Sequence, residues 1–374
     1  MNNQLPQAEG LKIIIAGGGT GGHVFPAIAI ARSLKTKVKD VKILFVGANG
    51  KMEMTKVPEA GFDIIGLNIA GIQRRLTLKN LKVPFMLMQS LLRAKKIIKE
   101  FKPNVVIGVG GYASAPILRA ASKKGIPTLI QEQNSYPGLT NRLLAKKVTK
   151  ICVAYEGMDR FFDKSKILLT GNPVRQDVIN LEGKQPGAFE FFNLDPLKPV
   201  VLVTGGSLGA RTINESIYQH LDYLIQNDIQ VIWQTGSRYF KKACERVENI
   251  NKGVVVKEFI NRMDYAYAAA NIVVSRAGAI AVSEICATQK PAILIPSPNV
   301  AEDHQTKNAL ALVNHHAALL VKDKNAFDLL GQTIVELVKD SKQQSKLKEK
   351  LSTLAFRNAA DVIADIAIDI ANKI

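Results

Sequence analysis

Two glycine-rich turns, each directly after a short apolar run, limit the folds that are open to this chain. Residues 13–22 align with residues 201–210 at a constant offset of 188 positions, and three glycines coincide. Glycine adopts positive φ readily and lets the backbone approach an anion closely. The repeat therefore predicts two domains of similar plan, each opening with a strand, a glycine turn and a helix.

Short β-branched runs, each followed by a longer helical pattern, recur along the chain and indicate βαβ units in parallel sheets. Their nearly continuous apolar character predicts burial on both sheet faces. We expect an α/β protein with two doubly wound, Rossmann-like domains that bind ligands in a cleft between them. The strands predicted for the first domain are residues 12–16, 41–46, 105–109, 128–131 and 150–153. Those for the second are residues 199–204, 230–234, 253–258, 271–275 and 292–296.

The predicted domains span residues 10–175 and 176–357. The remaining segment, residues 358–374, places an apolar stripe on one helical face, formed by Val362, Ile363, Ile366, Ala367 and Ile370. Such a face should dock on an apolar surface, and packing back on the first domain is one option. The periodicity does not decide which domain receives it.

The charge balance favours anionic partners. Fifty Lys and Arg residues against 32 Asp and Glu residues give a formal net charge of +18. Nucleic acid, a membrane surface and phosphorylated ligands all fit this charge, but aromatic residues make up 6% of the chain and no nucleic-acid recognition motif occurs. The three cysteines lie far apart and match no metal-ligand spacing, so we expect no disulfide framework and no zinc site. No D-x-D string occurs, so we also expect no metal held by paired carboxylates.

Four glycine turns are expected at strand ends, at residues 17–22, 110–111, 205–209 and 276–279. Gly17, Gly19 and Gly22 match the dinucleotide fingerprint, but the following strand does not end in an acid that could hold a ribose. Each turn could also be tight without binding a ligand. Their number favours more than one phosphate group, for example a nucleotide diphosphate donor and a phosphorylated acceptor.

Eight strings together resemble the MurG family, the peripheral-membrane N-acetylglucosaminyltransferases that make the disaccharide lipid precursor of bacterial peptidoglycan. They are GGGTGGHVFPAIAIA (17–31), VVIGVGGYASAP (105–116), QEQNSYPGLTNRLLA (131–145), GNPVR (171–175), VTGGSLGAR (203–211), EFINRM (258–263), SRAGAIAVSEI (275–285) and AEDHQTKNA (301–309). They follow the family's order and cover almost the whole chain.

This resemblance implies the GT-B architecture, with UDP-N-acetylglucosamine held mainly by the second domain and the lipid acceptor by the first. The implied donor-binding residues are Thr20, Gly21, Gly22, Asn134, Arg175, Ser207, Ile260, Ala279, Ile280, Ala281, Val282, Ser283, Glu284 and Gln305. The implied acceptor diphosphate site is Gly110, Gly111 and Tyr112.

The resemblance also assigns roles within the donor set. Arg175 and Ser207 would contact the diphosphate, and the backbone at Ile260 would read the uracil edge. The helix from residue 279 would supply free amides and the ribose carboxylate of Glu284, while Gln305 would hold sugar hydroxyls. The competing interpretations are an exposed helix acid at 284 and a packing side chain at 260.

The implied chemistry is a single inverting displacement, in which a sugar hydroxyl of an undecaprenyl-diphosphate-linked muramoyl peptide attacks the anomeric carbon. His23 is the candidate base because it lies inside a glycine motif and titrates in the useful range. Alternatively, His23 orders the loop or binds a sugar hydroxyl, and Glu132 or Asn134 positions the acceptor. No cofactor or metal beyond the donor substrate is expected.

A basic and apolar segment, residues 69–102, holds nine basic residues and one acid. Its proposed membrane patch consists of Arg74, Arg75, Lys79, Lys82, Leu81 and Phe85. At roughly 1 kcal/mol per basic residue near an anionic leaflet, four basic residues give about 4 kcal/mol, which is enough for reversible attachment. Without an expected signal peptide or spanning helix, the predicted location is the cytoplasmic face of the inner membrane, bound to anionic lipids.

Two other function classes remain open on the sequence. A nucleotide-cofactor oxidoreductase would bind NAD(P) saturably. A non-enzymatic membrane adaptor would bind anionic vesicles and leave UDP-sugars unchanged.

Overall fold

The structure is a computed structural model that describes residues 10–69, 83–250 and 253–373. Its contacts divide the chain into two compact units, one formed by the chain up to Val174 together with residues 358–374, and the other by residues 175–357. Arg175, the last residue of the predicted first domain, is thus the first residue of the second unit. There the side-chain amide of Gln176 donates to the carbonyl of Arg357 at 3.3 Å, which joins the two ends of that unit.

The first unit contains a seven-stranded parallel sheet with strand order β3-β2-β1-β4-β5-β6-β7. Its strands are β1 Lys12–Ala16, β2 Lys42–Ala48, β3 Asp63–Leu67, β4 Val105–Gly108, β5 Thr128–Glu132, β6 Lys150–Val153 and β7 Ile167–Leu169. Its helices are α1 Gly21–Lys37, α2 Glu53–Glu59, α3 Val83–Phe101, α4 Ser114–Ser122, α5 Leu139–Leu144 and, at the end of the chain, α15 Ala359–Ala371. The strand order reverses between β1 and β4, where doubly wound sheets bind ligands.

The second unit contains a six-stranded parallel sheet with strand order β10-β9-β8-β11-β12-β13. Its strands are β8 Val200–Thr204, β9 Gln230–Gln234, β10 Val254–Lys257, β11 Ile272–Ser275, β12 Ala292–Leu294 and β13 Leu319–Leu320. Its helices are α6 Gln176–Ile179, α7 Gln185–Phe192, α8 Arg211–Gln226, α9 Ser237–Val247, α10 Met263–Ala269, α11 Ala279–Thr288, α12 His304–Val313, α13 Ala326–Lys339 and α14 Ser341–Thr353. The corresponding switch point lies between β8 and β11.

Alternating side chains of the central strands fill the layers on both faces of each sheet. Ile13 and Ile15 of β1 belong to the core formed with α1 and α15, whereas Ile14 faces the core on the side of α3 and α4. In the second unit, Val201 and Val203 of β8 face the core formed with α8 and α13. Burial on both faces explains the nearly continuous apolar runs of these strands.

The C-terminal helix belongs to the first unit. Ile363 and Ala367 of α15 are buried in the core beside β1. At the helix surface, Ser33 donates to Asp361 at 2.6 Å, and the Lys37 ammonium lies 2.8 Å from the Asp365 carboxylate. The apolar stripe predicted for this segment therefore faces α1.

Of the thirteen strands in the described residues, the sequence pattern predicted ten and missed β3, β7 and β13. Each of these three lies at the edge of its sheet. Two of them have only three and two residues, and β3 is interrupted by a glycine. Such short or interrupted runs carry little periodic signal.

Candidate active site

The first two glycine turns come together at the switch point of the first unit. Ala16 at the end of β1 is the register partner of Gly108 at the end of β4. The amide of Gly18 donates to the carbonyl of Gly110 at 3.3 Å. A β-carbon on Gly111 would collide with the carbonyl of Gly18, and Gly111 has a φ of +83°. Glycine is therefore required for this close approach.

His23 lies at this contact, in the first turn of α1. Its Nδ1 is 3.2 Å from the Thr20 hydroxyl, and its backbone amide donates to the Thr20 carbonyl at 3.0 Å. A β-carbon placed on Gly110 would be 2.8 Å from His23 Nε2. The structure thus brings the candidate base, the implied donor residues Thr20, Gly21 and Gly22, and the implied acceptor turn to one place.

Glu53, at the start of α2, is a site residue that the sequence analysis missed. Its carboxylate is buried and accepts hydrogen bonds from the amides of Gly19 at 2.8 Å and Ala48 at 2.9 Å. The amide of Gly19 therefore donates to this side chain and not to a phosphate. The sequence shows that Glu53 follows β2 by a few residues. It does not show that the side chain reaches back to the glycine turn after β1.

The loop after β5 is organised by Glu132. One carboxylate oxygen accepts from the amide of Asn134 at 3.0 Å and from its side chain at 3.3 Å. The other accepts from the Gly138 amide at 3.1 Å and the Asn141 side chain at 2.8 Å. Burial raises the pKa of Glu132, and these hydrogen bonds oppose the rise. Both oxygens of the Glu132 carboxylate therefore hold the loop together.

Buried amide side chains connect this loop to the GNPVR string. Asn172 accepts from the Gln131 side chain at 2.8 Å and donates to the Gln133 carbonyl at 3.0 Å. Gln133 in turn donates to the carbonyl of Val109 at 2.7 Å, just before the Gly110 turn. The network fixes the position of Asn134 relative to that turn.

In the second unit, the side chain of Gln234 on β9 fixes the turn after β8 by hydrogen bonds. Its side-chain amide donates to the Thr204 hydroxyl and the Gly206 carbonyl, both at 3.1 Å. Ser207 is exposed at the tip of this turn. A β-carbon on Gly209 would collide with the carbonyl of Thr235, which explains the glycine there.

Ile260 is tied to the same glutamine. Its backbone amide donates to Gln234 Oε1 at 2.9 Å, and its side chain is buried. The amide is therefore used inside the protein. A uracil contact at this position would have to use the carbonyl oxygen.

The last glycine turn leads into α11, which begins at Ala279, and the following residues Ile280, Ala281 and Val282 complete its first turn. The N-terminal amides of a helix lack partners within it and favour anions. The Ser283 hydroxyl donates back to the Ala279 carbonyl at 3.0 Å. Asn308 of α12 donates to the Ala277 carbonyl at 3.3 Å and anchors the turn.

Glu284 lies further along α11 and is not an ordinary exposed acid. Its Oε2 accepts from the Tyr267 hydroxyl at 3.2 Å. Burial raises the pKa of Glu284 to about 7, while the nearby Arg175 guanidinium and the tyrosine hydrogen bond lower it. Arg175 itself lies 3.9 Å from Asp177, measured from Nε to Oδ1. The structure thus brings Arg175 and Glu284 together within one unit.

Gln305 is anchored near the start of α12. Its Oε1 accepts from the amide of Ser297 at 2.9 Å. Within the described ranges, no three His, Cys, Asp or Glu side chains converge in the manner of metal ligands.

An exposed apolar stripe runs along α3. It consists of Phe85, Met88 and Leu92, which are 75%, 65% and 61% exposed and occupy positions i, i+3 and i+7 of one helical face. Arg74, Arg75, Lys79, Leu81 and Lys82 of the predicted membrane patch lie outside the described residues. Among the residues that the structure describes, no helix has both the length and the apolar character needed to cross a bilayer.

Tyr112, the third residue of the implied acceptor site, follows the Gly110 turn and is exposed. The Ser114 hydroxyl donates to the Gly111 carbonyl at 2.8 Å and closes the turn at the start of α4. Gly110 has a φ of +95°. The turn therefore presents backbone rather than bulky side chains beside His23.

Comparison with known proteins relates both units to one family. The model of the glycosyltransferase family 28 N-terminal domain matches residues 13–153, and that of the family 28 C-terminal domain matches residues 200–363. A protein of Parabacteroides distasonis named UDP-N-acetylglucosamine--N-acetylmuramyl-(pentapeptide) pyrophosphoryl-undecaprenol N-acetylglucosamine transferase is 53% identical over 97% of this chain and 99% of its own length. A protein of the same name from Flavobacterium psychrophilum is 52% identical over 96% of this chain and 97% of its own. The crystal structure of Acinetobacter baumannii MurG superposes with a TM-score of 0.76 at 25% identity, covering 96% of this chain and 99% of that one.

Proposed function

Because the chain belongs to the MurG family of glycosyltransferases, we infer that it transfers N-acetylglucosamine from UDP-N-acetylglucosamine to an undecaprenyl-diphosphate-linked N-acetylmuramoyl peptide. This is the step that converts lipid I into lipid II in peptidoglycan synthesis. Glycosyltransferases of the GT-B class consist of two Rossmann-like domains, and this chain has two such units. Relatives at about half identity over nearly the whole chain support the substrate pair.

The second unit binds the donor. The observation that carries this assignment is the arrangement at α11, where a helix N-terminus suited to a diphosphate lies on the same helix as Glu284. Arg175 adds a guanidinium, whose planar fork matches phosphate oxygens. Ser207 contacts the diphosphate, and Gln305 contacts the sugar. The Ile260 carbonyl accepts from the uracil ring.

The first unit binds the acceptor and supplies the base. The backbone of Gly110 and Gly111, with Tyr112, receives the acceptor diphosphate. His23 removes the proton from the attacking hydroxyl, and Asn134 and the Thr20 turn contact the transferred sugar. This assignment is supported by the contact of His23 with both Thr20 and the Gly110 turn.

The reaction is a direct displacement. The acceptor hydroxyl oxygen forms a bond to the anomeric carbon, the bond from that carbon to the diphosphate oxygen breaks, and the hydroxyl proton moves to His23. Nε2 is the basic nitrogen when Nδ1 carries a proton and donates to Thr20. Arg175 and the amides of α11 stabilise the charge that develops on the departing UDP.

The enzyme works as a peripheral protein at the cytoplasmic face of the inner membrane. The basic segment of residues 69–102 attracts anionic lipids, and the exposed apolar stripe of α3 enters the interface. Both features belong to the unit that binds the lipid-linked substrate. Lipid headgroups and the acceptor are therefore met by the same unit.

The decisive experiment measures UDP release from UDP-N-acetylglucosamine with a lipid-linked muramoyl acceptor and vesicles present. Release that requires both substrates is expected, and Glu284→Ala should slow it at low donor concentration. Saturable NAD(P) binding without UDP release would favour the oxidoreductase. Vesicle binding with no UDP release under any condition would favour the adaptor.

A further inference from the structure

A buried tyrosine on a neighbouring helix holds the carboxylate of Glu284. Tyr267 lies on α10 and its side chain is only 1% exposed. Its hydroxyl donates to Glu284 Oε2 at 3.2 Å, and within the described residues no other donor to this carboxylate is found. Because the ring is enclosed, the hydroxyl cannot turn to water, and the carboxylate is its partner.

We propose that Tyr267 is a positioning residue of the donor site, which fixes one oxygen of Glu284 so that the other accepts a hydrogen bond from the ribose. The inference rests on the proposed contact between Glu284 and ribose. The tyrosine itself touches neither the donor nor the reacting atoms. Its effect reaches the nucleotide through the glutamate alone.

The need for such a residue follows from the flexibility of glutamate. A glutamate side chain has three rotatable bonds and loses conformational entropy when one orientation is selected. The buried tyrosine ring is held by its surroundings, so its hydroxyl offers a fixed partner. A ribose hydroxyl then meets a carboxylate that is already oriented, which lowers the cost of binding.

The same hydrogen bond favours the ionised carboxylate. Burial raises the pKa of Glu284, whereas the Tyr267 hydroxyl and the Arg175 guanidinium lower it. A hydrogen bond to the charged form stabilises that form. Tyr267 thus supports both the orientation of Glu284 and the charge that makes it a strong acceptor for a ribose hydroxyl.

The consequence is discrimination at the ribose. An oriented, ionised carboxylate gains a charge-assisted hydrogen bond from the 2′-hydroxyl and is left without that partner when the hydroxyl is missing. UDP should therefore bind more tightly than 2′-deoxy-UDP, by about tenfold or more. This ratio reports on the carboxylate and is insensitive to a general loss of affinity for the diphosphate.

The test is a calorimetric comparison of UDP and 2′-deoxy-UDP binding to the full-length protein. Tyr267→Phe removes one hydroxyl and should reduce the ratio of the two dissociation constants to within about threefold. The matched control is Tyr239→Phe, because the Tyr239 hydroxyl is buried with no hydrogen-bond partner among the described residues. This control should keep the wild-type ratio.

Glu284→Ala separates failure of this inference from failure of the proposed ribose contact. If the ratio of the two dissociation constants is the same in Glu284→Ala as in wild type, the glutamate does not bind the 2′-hydroxyl, and the ribose contact on which this inference rests falls. If Glu284→Ala brings the two dissociation constants close to each other while Tyr267→Phe keeps their wild-type ratio, only the role of Tyr267 is overturned. The double variant should lose no more than Glu284→Ala, since both residues act through one contact.

A second variant covers the case in which Tyr267→Phe does not fold. Glu284→Asp keeps the charge but shortens the side chain, so that it can no longer reach the tyrosine and the ribose together. Its ratio should also fall below about threefold. A wild-type ratio in Glu284→Asp would show that the carboxylate needs no fixed position and would overturn the proposal. In turnover assays, Tyr267→Phe should raise the donor KM several-fold while kcat stays within about twofold.

Discussion

The carboxyl group of Glu53 lies against the α-carbon of Gly18, in the space that a β-carbon on that glycine would fill. The same side chain approaches Gly47 at the end of β2, where a β-carbon would also collide with it. Glycines at these two positions therefore make room for an internal carboxylate. That carboxylate binds the amide of Gly19, which could otherwise face a phosphate.

Substitution of Glu53 by Gln should destabilise the protein and distort the first glycine turn. The two carboxylate oxygens accept from two amides, and a glutamine would place its own NH2 group against one of these donors. We expect a loss of about 1–3 kcal/mol in the free energy of unfolding, measured by urea titration, together with reduced kcat. Glu59→Gln on the same helix is the control, because Glu59 forms an exposed ion pair with Lys56, and such a pair adds little to stability. Equal stability of the two variants would contradict a structural role for Glu53.

Removal of the His23 imidazole should slow catalysis without weakening donor binding. If His23 is the base, His23→Ala lowers kcat by about 10²- to 10⁴-fold, measured as UDP release at saturating substrates. The dissociation constant for UDP should stay within about twofold. The exposed His315 provides a matched control, and His315→Ala should keep wild-type kcat. A small loss of kcat with a raised KM would assign His23 to sugar binding instead.

Donor use should depend on pH through Glu284. Because its pKa is raised to about 7, part of the free enzyme carries a protonated Glu284 at neutral pH, and kcat/KM for the donor should fall as pH drops below 7. Asp177 raises this pKa, so Asp177→Asn should move the acidic limb to lower pH. In Glu284→Gln, kcat/KM for the donor should no longer fall below pH 7. If it falls as in wild type, the pH dependence belongs to another group.

The same shift has a sign for stability. The pKa of Glu284 rises from 4.5 in the unfolded chain to about 7 in the folded protein, so its contribution to folding is least favourable above pH 7. This contribution becomes less unfavourable as pH falls through 7 toward 4.5. Urea titrations of wild type and Glu284→Gln across this range should show the difference between them shrinking at the acidic end.

Membrane attachment should depend on the apolar stripe of α3. The double variant Phe85→Ser/Met88→Ser should reduce partitioning onto phosphatidylglycerol vesicles by about tenfold or more, because each lost side chain removes apolar burial at the interface. Co-sedimentation measures this, and added salt should weaken binding further. Leu197→Ser in the second unit is the control, since Leu197 is also highly exposed. Equal partitioning of wild type and the double variant would show that the apolar stripe of α3 does not contribute to membrane attachment.

The sequence predicted the central strands and the positions of the glycine turns because both are local patterns. Runs such as residues 12–16 and 230–234 are buried on both faces and bounded by turn residues, so their period and length identify them. The two-unit plan followed from a repeat that is visible in the letters alone. Edge strands such as Leu319–Leu320 are too short to leave a pattern.

What the sequence did not predict depends on contacts between distant residues. Glu53 and Tyr267 gain their roles from partners 34 and 17 positions away, and no periodicity links them. The use of the Ile260 amide by Gln234 is of the same kind. The family resemblance singled out the glycine turns, but only three-dimensional packing shows which of their amides already donate within the protein.

Because α15 packs in the core of the first unit, that unit combines segments from before and after residues 175–357. The second unit is therefore an insert whose entry and exit are hydrogen-bonded through Gln176 and Arg357. Removal of α15 would expose the core residues Ile13 and Ile15 of β1, which lie about 350 positions earlier in the sequence. Excision of residues 175–357, by contrast, would separate a piece whose two ends already meet.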